Sequence, residues 1–168
     1  GFAGAANHAI NQSLGSEILL LNPDTLVDKN TVQLLADYVI DNNNVGVVGC
    51  KVTFPSGKYQ LSSKRHFPTL GIIFTKLLKL DKLFSKNKYF GKYNYTYLNH
   101  DDFSDVDSIS GACMMFREEI FKDVGRFDEN FFLYFEDTDF CYRILKKQYK
   151  VVYNPNCKIV HYKRESFK

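Results

Sequence analysis

The stretch EILLLNPDTLVD, residues 17–28, runs a short apolar strand straight into Asn22, Pro23, Asp24 and Thr25. Asn-Pro-Asp-Thr is good turn chemistry. Asp24 is therefore either a plain turn residue or a carboxylate held at the C-terminal edge of a strand. Its neighbours frame the choice. Upstream, GFAGAANHAI (1–10) follows a helical pattern, with Ala6, Ile10 and Leu14 at four-residue spacing and Gly15 as its stop. Downstream, KNTVQLLADYVIDNN (29–43) reads as a helix capped by Thr25 or Asp28, with Val32, Leu35, Val39 and Ile40 on its sheet-facing side. VGVVGCKVTF (45–54) is a buried strand that ends at the turn Pro55-Ser56-Gly57. Helix, strand, helix, strand is the order of an α/β fold with a mostly parallel sheet, whose ligands sit beyond the strands' C-terminal ends. Asn22 to Thr25 occupies such an end.

Farther along, LGIIFTKLLKLDKLF (70–84) has the spacing of a helix with Ile73, Phe74, Leu77, Leu80 and Phe84 on one side. NKYFGKYNYTYLNHDDFSD (87–105) reads as a tyrosine-anchored loop. VDSISGACMMF (106–116) reads as a strand interrupted at Ser110-Gly111, and REEIFKDVGRFDE (117–129) as a short helix stopped by Gly125. An aromatic run then leads into a helix with Phe140, Cys141, Ile144 and Leu145 inward. KVVYNPNCKIVHY (150–162) closes with two short strands about an Asn-Pro-Asn turn.

With 168 residues, the chain suits one domain with a real core. Hydrophobic content of 45% and charged content of 24% exclude a disordered chain, and no apolar run reaches membrane-spanning length. A secretory signal is not expected. The four cysteines are widely spaced, which speaks against structural zinc and for reduced thiols in the cytoplasm. Charge is distributed unevenly. Between Lys64 and Lys92 eight cations face Asp81 alone, a charge of +7 in a chain whose total is +3, leaving −4 elsewhere. A basic, aromatic, partly amphipathic segment suits an anionic surface or a solvated helix and loop.

Four groups could carry chemistry. Asp24 can hold Mg²⁺ or Mn²⁺, which take oxygen ligands and bridge to substrate phosphates. Glu136 and Asp137 stand where the aromatic run becomes a helix, and a carboxylate at a helix start is placed as a general base needs to be. His161 follows a short apolar strand, at a sheet edge near the carboxylates. Ser110-Gly111 marks a bulge, a close ligand approach or simple packing.

Taken together and in order, GFAGAANHAI, ILLLNPDT, VGVVGCKV, the Gln60/Ser62/Arg65 stretch, VDSISGACMMFREEIF, VGRFDENFFLYFEDTDFCYR and IVHY resemble the family 2 inverting glycosyltransferases, closest to their rhamnosyltransferase-like bacterial branch. The resemblance spans nearly the whole chain. It implies a nucleotide-diphosphosugar transferase fold, GT-A-like and Rossmann-related, with a mostly parallel sheet flanked by helices. It also implies a nucleoside-diphosphate sugar donor and a saccharide or polyprenyl-pyrophosphate-linked saccharide acceptor, with no nucleic acid. On this resemblance Asp24 holds a divalent cation, Mg²⁺ or Mn²⁺, with His161 as a further ligand. Asn22, which replaces the family's first aspartate, makes neutral contacts. Asp137 is the base, Glu136 lies beside it in the acceptor pocket, and Ser110-Gly111 is the acceptor-side loop.

The family usually begins with further strands and a helix that grip the nucleobase. The expectation is one catalytic domain over 1–168 that lacks this part, is inactive alone and exposes a sheet edge open to dimerisation. Residues 64–104 are expected to be a basic acceptor-side or membrane-facing insertion, giving a cytoplasmic protein peripheral to the inner membrane face. The competing readings are a metal-dependent nucleotidyltransferase or pyrophosphohydrolase, and a non-catalytic membrane-docking fragment.

Overall fold

In the computed structural model, which describes residues 1–132 and 134–162, the strand of the opening motif is β1 (Glu17–Leu21), between helix α1 (Phe2–Gln12) and the short β2 (Thr25–Val27). Then come α2 (Thr31–Asp41), β3 (Val45–Thr53), a 3-10 turn at Leu61–Ser63 and β4 (Lys64–Arg65). Helices α3 (Leu70–Leu77) and α4 (Leu80–Leu83) precede β5 (Ser104–Asp105), β6 (Ser108–Ile109) and β7 (Cys113–Arg117). Helices α5 (Glu118–Val124) and α6 (Glu136–Lys146) lead to β8 (Lys150–His161).

The main sheet has the order β1-β7-β3-β8-β2, with β5 also on β8, and β4 pairs with β6 in a second small sheet. The fold is α/β as expected. Strands β1, β3 and β8 point the same way, because β7 is antiparallel to both β1 and β3 while β3 and β8 pair in parallel. Pairing is nonetheless mixed. β7 is inserted between two strands that sequence order alone would make neighbours, and β2 and β5 run against β8.

Alternation along the strands sends side chains to two cores. Ile18, Val47, Met114, Phe116, Val151 and Tyr153 pack with α1, α5 and α6. Val48, Cys50, Val52, Cys113, Met115, Val152 and Ile159 pack with α2. In the first core the Phe127 and Phe140 rings lie 4.5 Å apart, with Phe116 and Phe121 beside them. All four cysteines are buried and free, and burial pushes the Cys141 thiol up to about 12.

Several boundaries differ from expectation. α1 stops at Gln12, because Ser13 Oγ donates to the Ile10 carbonyl at 2.8 Å, and Leu14 is left fully exposed ahead of Gly15. α2 buries Leu35 and Val39 but exposes Val32 and Ile40. Thr25 lies in β2 rather than at its cap, and Asp28 meets the helix only by its backbone carbonyl, which accepts from Thr31 N–H. The segment 70–84 is two helices, parted by Lys79 at φ 56°, and of α3 only Ile72 is buried. β8 is one strand. Its register against β3 jumps from Asn154 to Lys158, so Pro155 and its neighbours form a bulge where a turn was expected.

Candidate active site

The sheet registers bring distant parts of the chain to the C-terminal end of β1. Leu21 pairs with Cys113, and the next N–H, that of Asn22, donates to Ala112 O at 3.0 Å. The Asn22–Asp24 turn is thereby fixed beside Ser110-Gly111. Thr25 pairs with His161, and Tyr162 N–H donates to Asp24 O at 3.0 Å, which brings the histidine to the carboxylate. Gln60, itself buried, ties this corner down by donating from Nε2 to His161 O at 2.8 Å and Thr53 O at 3.3 Å. On the other side β4 pairs Arg65 with Ser108, and Ser110 N–H donates to Ser63 O.

The result is a cleft of about 210 Å³ lined by Asn22, Ser110, Gly111, Glu136, Asp137 and His161, with Arg65 among them. Six of the seven residues picked from sequence share one cavity, and the seventh, Asp24, touches His161.

Asp137 is held in one orientation by four donors. Arg65 Nη2 donates to Oδ2 at 2.6 Å and Gly111 N–H donates to the same oxygen at 3.0 Å, while Thr138 gives its N–H at 2.7 Å and its hydroxyl at 3.1 Å to Oδ1. Helix α6 begins one residue earlier, so Asp137 also lies in the favourable field of the helix N-terminus. The turn into it is strained: Tyr134 and Phe135 have φ of 66° and 69°, a conformation that aromatic residues rarely hold. Glu136 is buried, and desolvation raises the pKa of its carboxyl, with Asp137 adding to the effect.

At the other end, Asp24 Oδ1 lies 3.2 Å from His161 Nε2, yet makes no hydrogen bond and is shielded from solvent. Nε2 is also 3.4 Å from Asn22 Nδ2. With the ring's proton on Nδ1, Nε2 has one lone pair, which serves either that amide or a cation held between the histidine and the carboxylate. This is a donor set for a cation: one carboxylate oxygen, one imidazole nitrogen and a neutral amide beside them. Mg²⁺ and Mn²⁺ commonly take few protein ligands and complete their shell with water and substrate phosphate. Among the described residues no cluster of three His, Cys, Asp or Glu side chains could enclose an ion without such help. Buried polar atoms normally have partners. Here Asp24 Oδ1, Glu136 Oε2 and Arg65 Nε have none, and all three belong to this corner of the molecule.

Arg65 is the main residue to which the sequence assigned no role. Its neighbour Lys64 is buried, so the two-residue strand β4 sends one cation to the core and the other to the cleft. Only the meeting of β4 with β6 reveals it.

A family model described as glycosyltransferase like family 2 matches residues 1–168. The chain belongs to the family 2-like glycosyltransferases. An N-acetylglucosaminyl-diphospho-decaprenol L-rhamnosyltransferase of Mycobacterium tuberculosis is 28% identical over 149 residues, 89% of this chain and 48% of the relative. The low-salt glycan biosynthesis hexosyltransferase Agl10 of Haloferax volcanii is 27% identical over 157 residues, 90% of this chain and 45% of its own. This glycosyltransferase chain thus spans about half the length of these curated relatives. The crystal structure of GalNAc-T7 with UDP, GalNAc and Mn2+ superposes with a TM-score of 0.67 at 14% identity, over 96% of this chain and 30% of that one. That likeness establishes the GT-A-like fold. No helix among the described residues is long and apolar enough to cross a membrane.

Proposed function

We propose that residues 1–168 form one catalytic domain that moves a sugar from a nucleoside-diphosphate donor to a saccharide hydroxyl with inversion, assisted by a divalent cation. The observation that carries this reading is one cleft that joins Asn22 and His161, the latter beside Asp24, to an Asp137 carboxylate held by four donors. Mg²⁺ or Mn²⁺ bound by Asp24 and His161 would supply positive charge to the donor's diphosphate, on which charge grows as it leaves.

The chain's own residues do the rest. Asp137 accepts the proton of the attacking hydroxyl, and a single displacement needs that one base and no enzyme nucleophile. Arg65 and Gly111 N–H share Oδ2 and so fix the direction in which the carboxylate faces. Ser110 and Glu136 line the same cavity and offer hydrogen bonds to acceptor hydroxyls. A saccharide of the cell surface, carried on a polyprenyl diphosphate, and a rhamnosyl donor are the substrate classes suggested by the relatives' names. Such an acceptor puts the enzyme at the inner membrane face. The outer edge of β1 bears no strand among the described residues, and we propose it as a pairing edge for a second copy, read out by sedimentation.

Calorimetric titration with UDP, dTDP and GDP, each with Mn²⁺ and then with EDTA, tests the assignment. Metal-dependent binding of one nucleotide, lost in Asp24→Ala, is the expected result. Binding that ignores both EDTA and Asp24→Ala would remove the metal role. Release of pyrophosphate or a nucleoside monophosphate, rather than a nucleoside diphosphate, would favour a nucleotidyltransferase or pyrophosphohydrolase instead.

A further inference from the structure

A surface helix of a water-soluble domain normally turns its apolar stripe to the core. Helix α3 does the reverse. Leu70, Ile73, Phe74 and Leu77 fall at the i, i+3, i+4, i+7 spacing of one helix face, and they are 87%, 52%, 60% and 76% exposed, while Ile72 alone is buried. Leu78, Leu83, Phe84 and Tyr89 extend the exposed apolar surface through α4 and beyond it. Lys79, Lys82, Lys86, Lys88 and Lys92 stand among them, all exposed, with Asp81 as the single acid between 70 and 92. An ordinary solvated helix needs no such stripe, and a protein-binding groove needs no such excess of one charge.

We infer that α3, α4 and the following lysines form a docking surface for the anionic headgroup face of a lipid bilayer. Apolar side chains entering the headgroup and acyl boundary, ringed by lysines that meet phosphate groups, are the two components of interfacial binding. The position of the surface is consistent with a use. Lys76, on the side of α3 away from the stripe, lies with its Nζ 3.7 Å from the Tyr93 ring centroid. It lines a groove, together with Tyr93 and Ser62, that reaches Arg65. Arg65 and Ser62 in turn line the catalytic cleft. Helix α3 thus carries the proposed surface on one side and, through Lys76, borders on another side a groove that leads to the cleft of Asp137. The inference stands on surface chemistry and does not depend on the transferase reading.

Flotation of the protein with phosphatidylcholine vesicles, with and without phosphatidylglycerol, tests it. Binding is expected to the anionic vesicles and to weaken as salt is added. At about one factor of five for each lysine near the surface, the Lys79→Gln/Lys82→Gln variant should bind about thirtyfold more weakly. Phe74→Ser/Leu77→Ser should lose binding even at low salt, and its circular dichroism and melting should match the parent because both side chains are exposed. Asp24→Ala should float like the parent, which separates this surface from the metal corner. Equal flotation of the parent and both surface variants, no flotation at all, or retention on heparin without vesicle binding would each overturn the inference.

Discussion

Replacing Arg65 with methionine and Asp137 with asparagine, singly and together, measures how firmly the proposed base is held. The contact is 2.6 Å long, and the side chains are only 19% and 13% exposed, so solvent screens it little. A charge-assisted hydrogen bond in such a place contributes about 1.5–3 kcal/mol, and breaking a fully buried pair costs about 3–5 kcal/mol. Arg65→Met leaves Asp137 with Gly111 N–H and the two Thr138 donors, so the loss should fall near the lower figure. We expect about 2 kcal/mol. For a chain of this size that is a fall of roughly 4–8 °C in Tm, or about 1 M in the urea midpoint. The double-mutant cycle should return a coupling of about 2 kcal/mol. A coupling under about 0.5 kcal/mol, the range of solvated surface pairs, would refute the claim that Arg65 holds Asp137.

Other outcomes follow from the same geometry. Asp24→Ala removes a buried carboxylate whose Oδ1 has no hydrogen bond, so it should leave urea stability unchanged or raise it by about 1 kcal/mol while abolishing metal-dependent nucleotide binding. Glu136 has a carboxyl pKa raised by burial, so its contribution to stability is present below the ordinary glutamate range and lost as pH rises through its folded value. Glu136→Gln should flatten that decline in a pH series of melts. Lys64 is fully buried and desolvation lowers its pKa to about 8, so the unfolded chain binds the extra proton between there and 10.5. Stability should therefore gain on the order of 3 kcal/mol from Lys64 across that window, and Lys64→Met should remove the gain. Lys64 Nζ also reaches Ser104 Oγ at 3.2 Å and sits over the Tyr153 ring, so a loss of stability in Lys64→Met at neutral pH would show these contacts outweighing the desolvation.

The alternation of helix and strand from 1 to 54 was legible because hydrophobic period and turn residues agree there. The same agreement marks Gly125 and the inward face of α6. The candidate site was legible as residue types at element ends: an Asp after a strand, a Glu-Asp pair at a helix start, a His after the last apolar run. What local sequence does not carry is strand order. Nothing in CMMFR says that β7 will lie between β1 and β3, because that choice rests on partners such as Glu17 for Arg117 and Val48 for Met115, far away in the chain. Arg65, named in the resemblance, was given no role for the same reason, since its partner Asp137 lies 72 positions away. The apolar stripe of 70–84 was legible as a pattern, though as one helix rather than two, and periodicity by itself is blind to whether a stripe meets a core or faces out.

The registers that build the cleft have a thermodynamic consequence. Leu21 meets Cys113, Thr25 meets His161 and Arg65 meets Ser108, so the cavity closes only when the first and last strands are both in place. Contacts of such long sequence separation form late and together, after their loop-closure entropy has been met. A ligand that recognises the finished corner has no partial version of it to bind in the unfolded chain. Its binding energy therefore adds to the stability of the whole fold, about 2.7 kcal/mol at a hundredfold excess over Kd. Melting temperature becomes an affinity scale, and donor nucleotides can be ranked by heating the protein with each in turn.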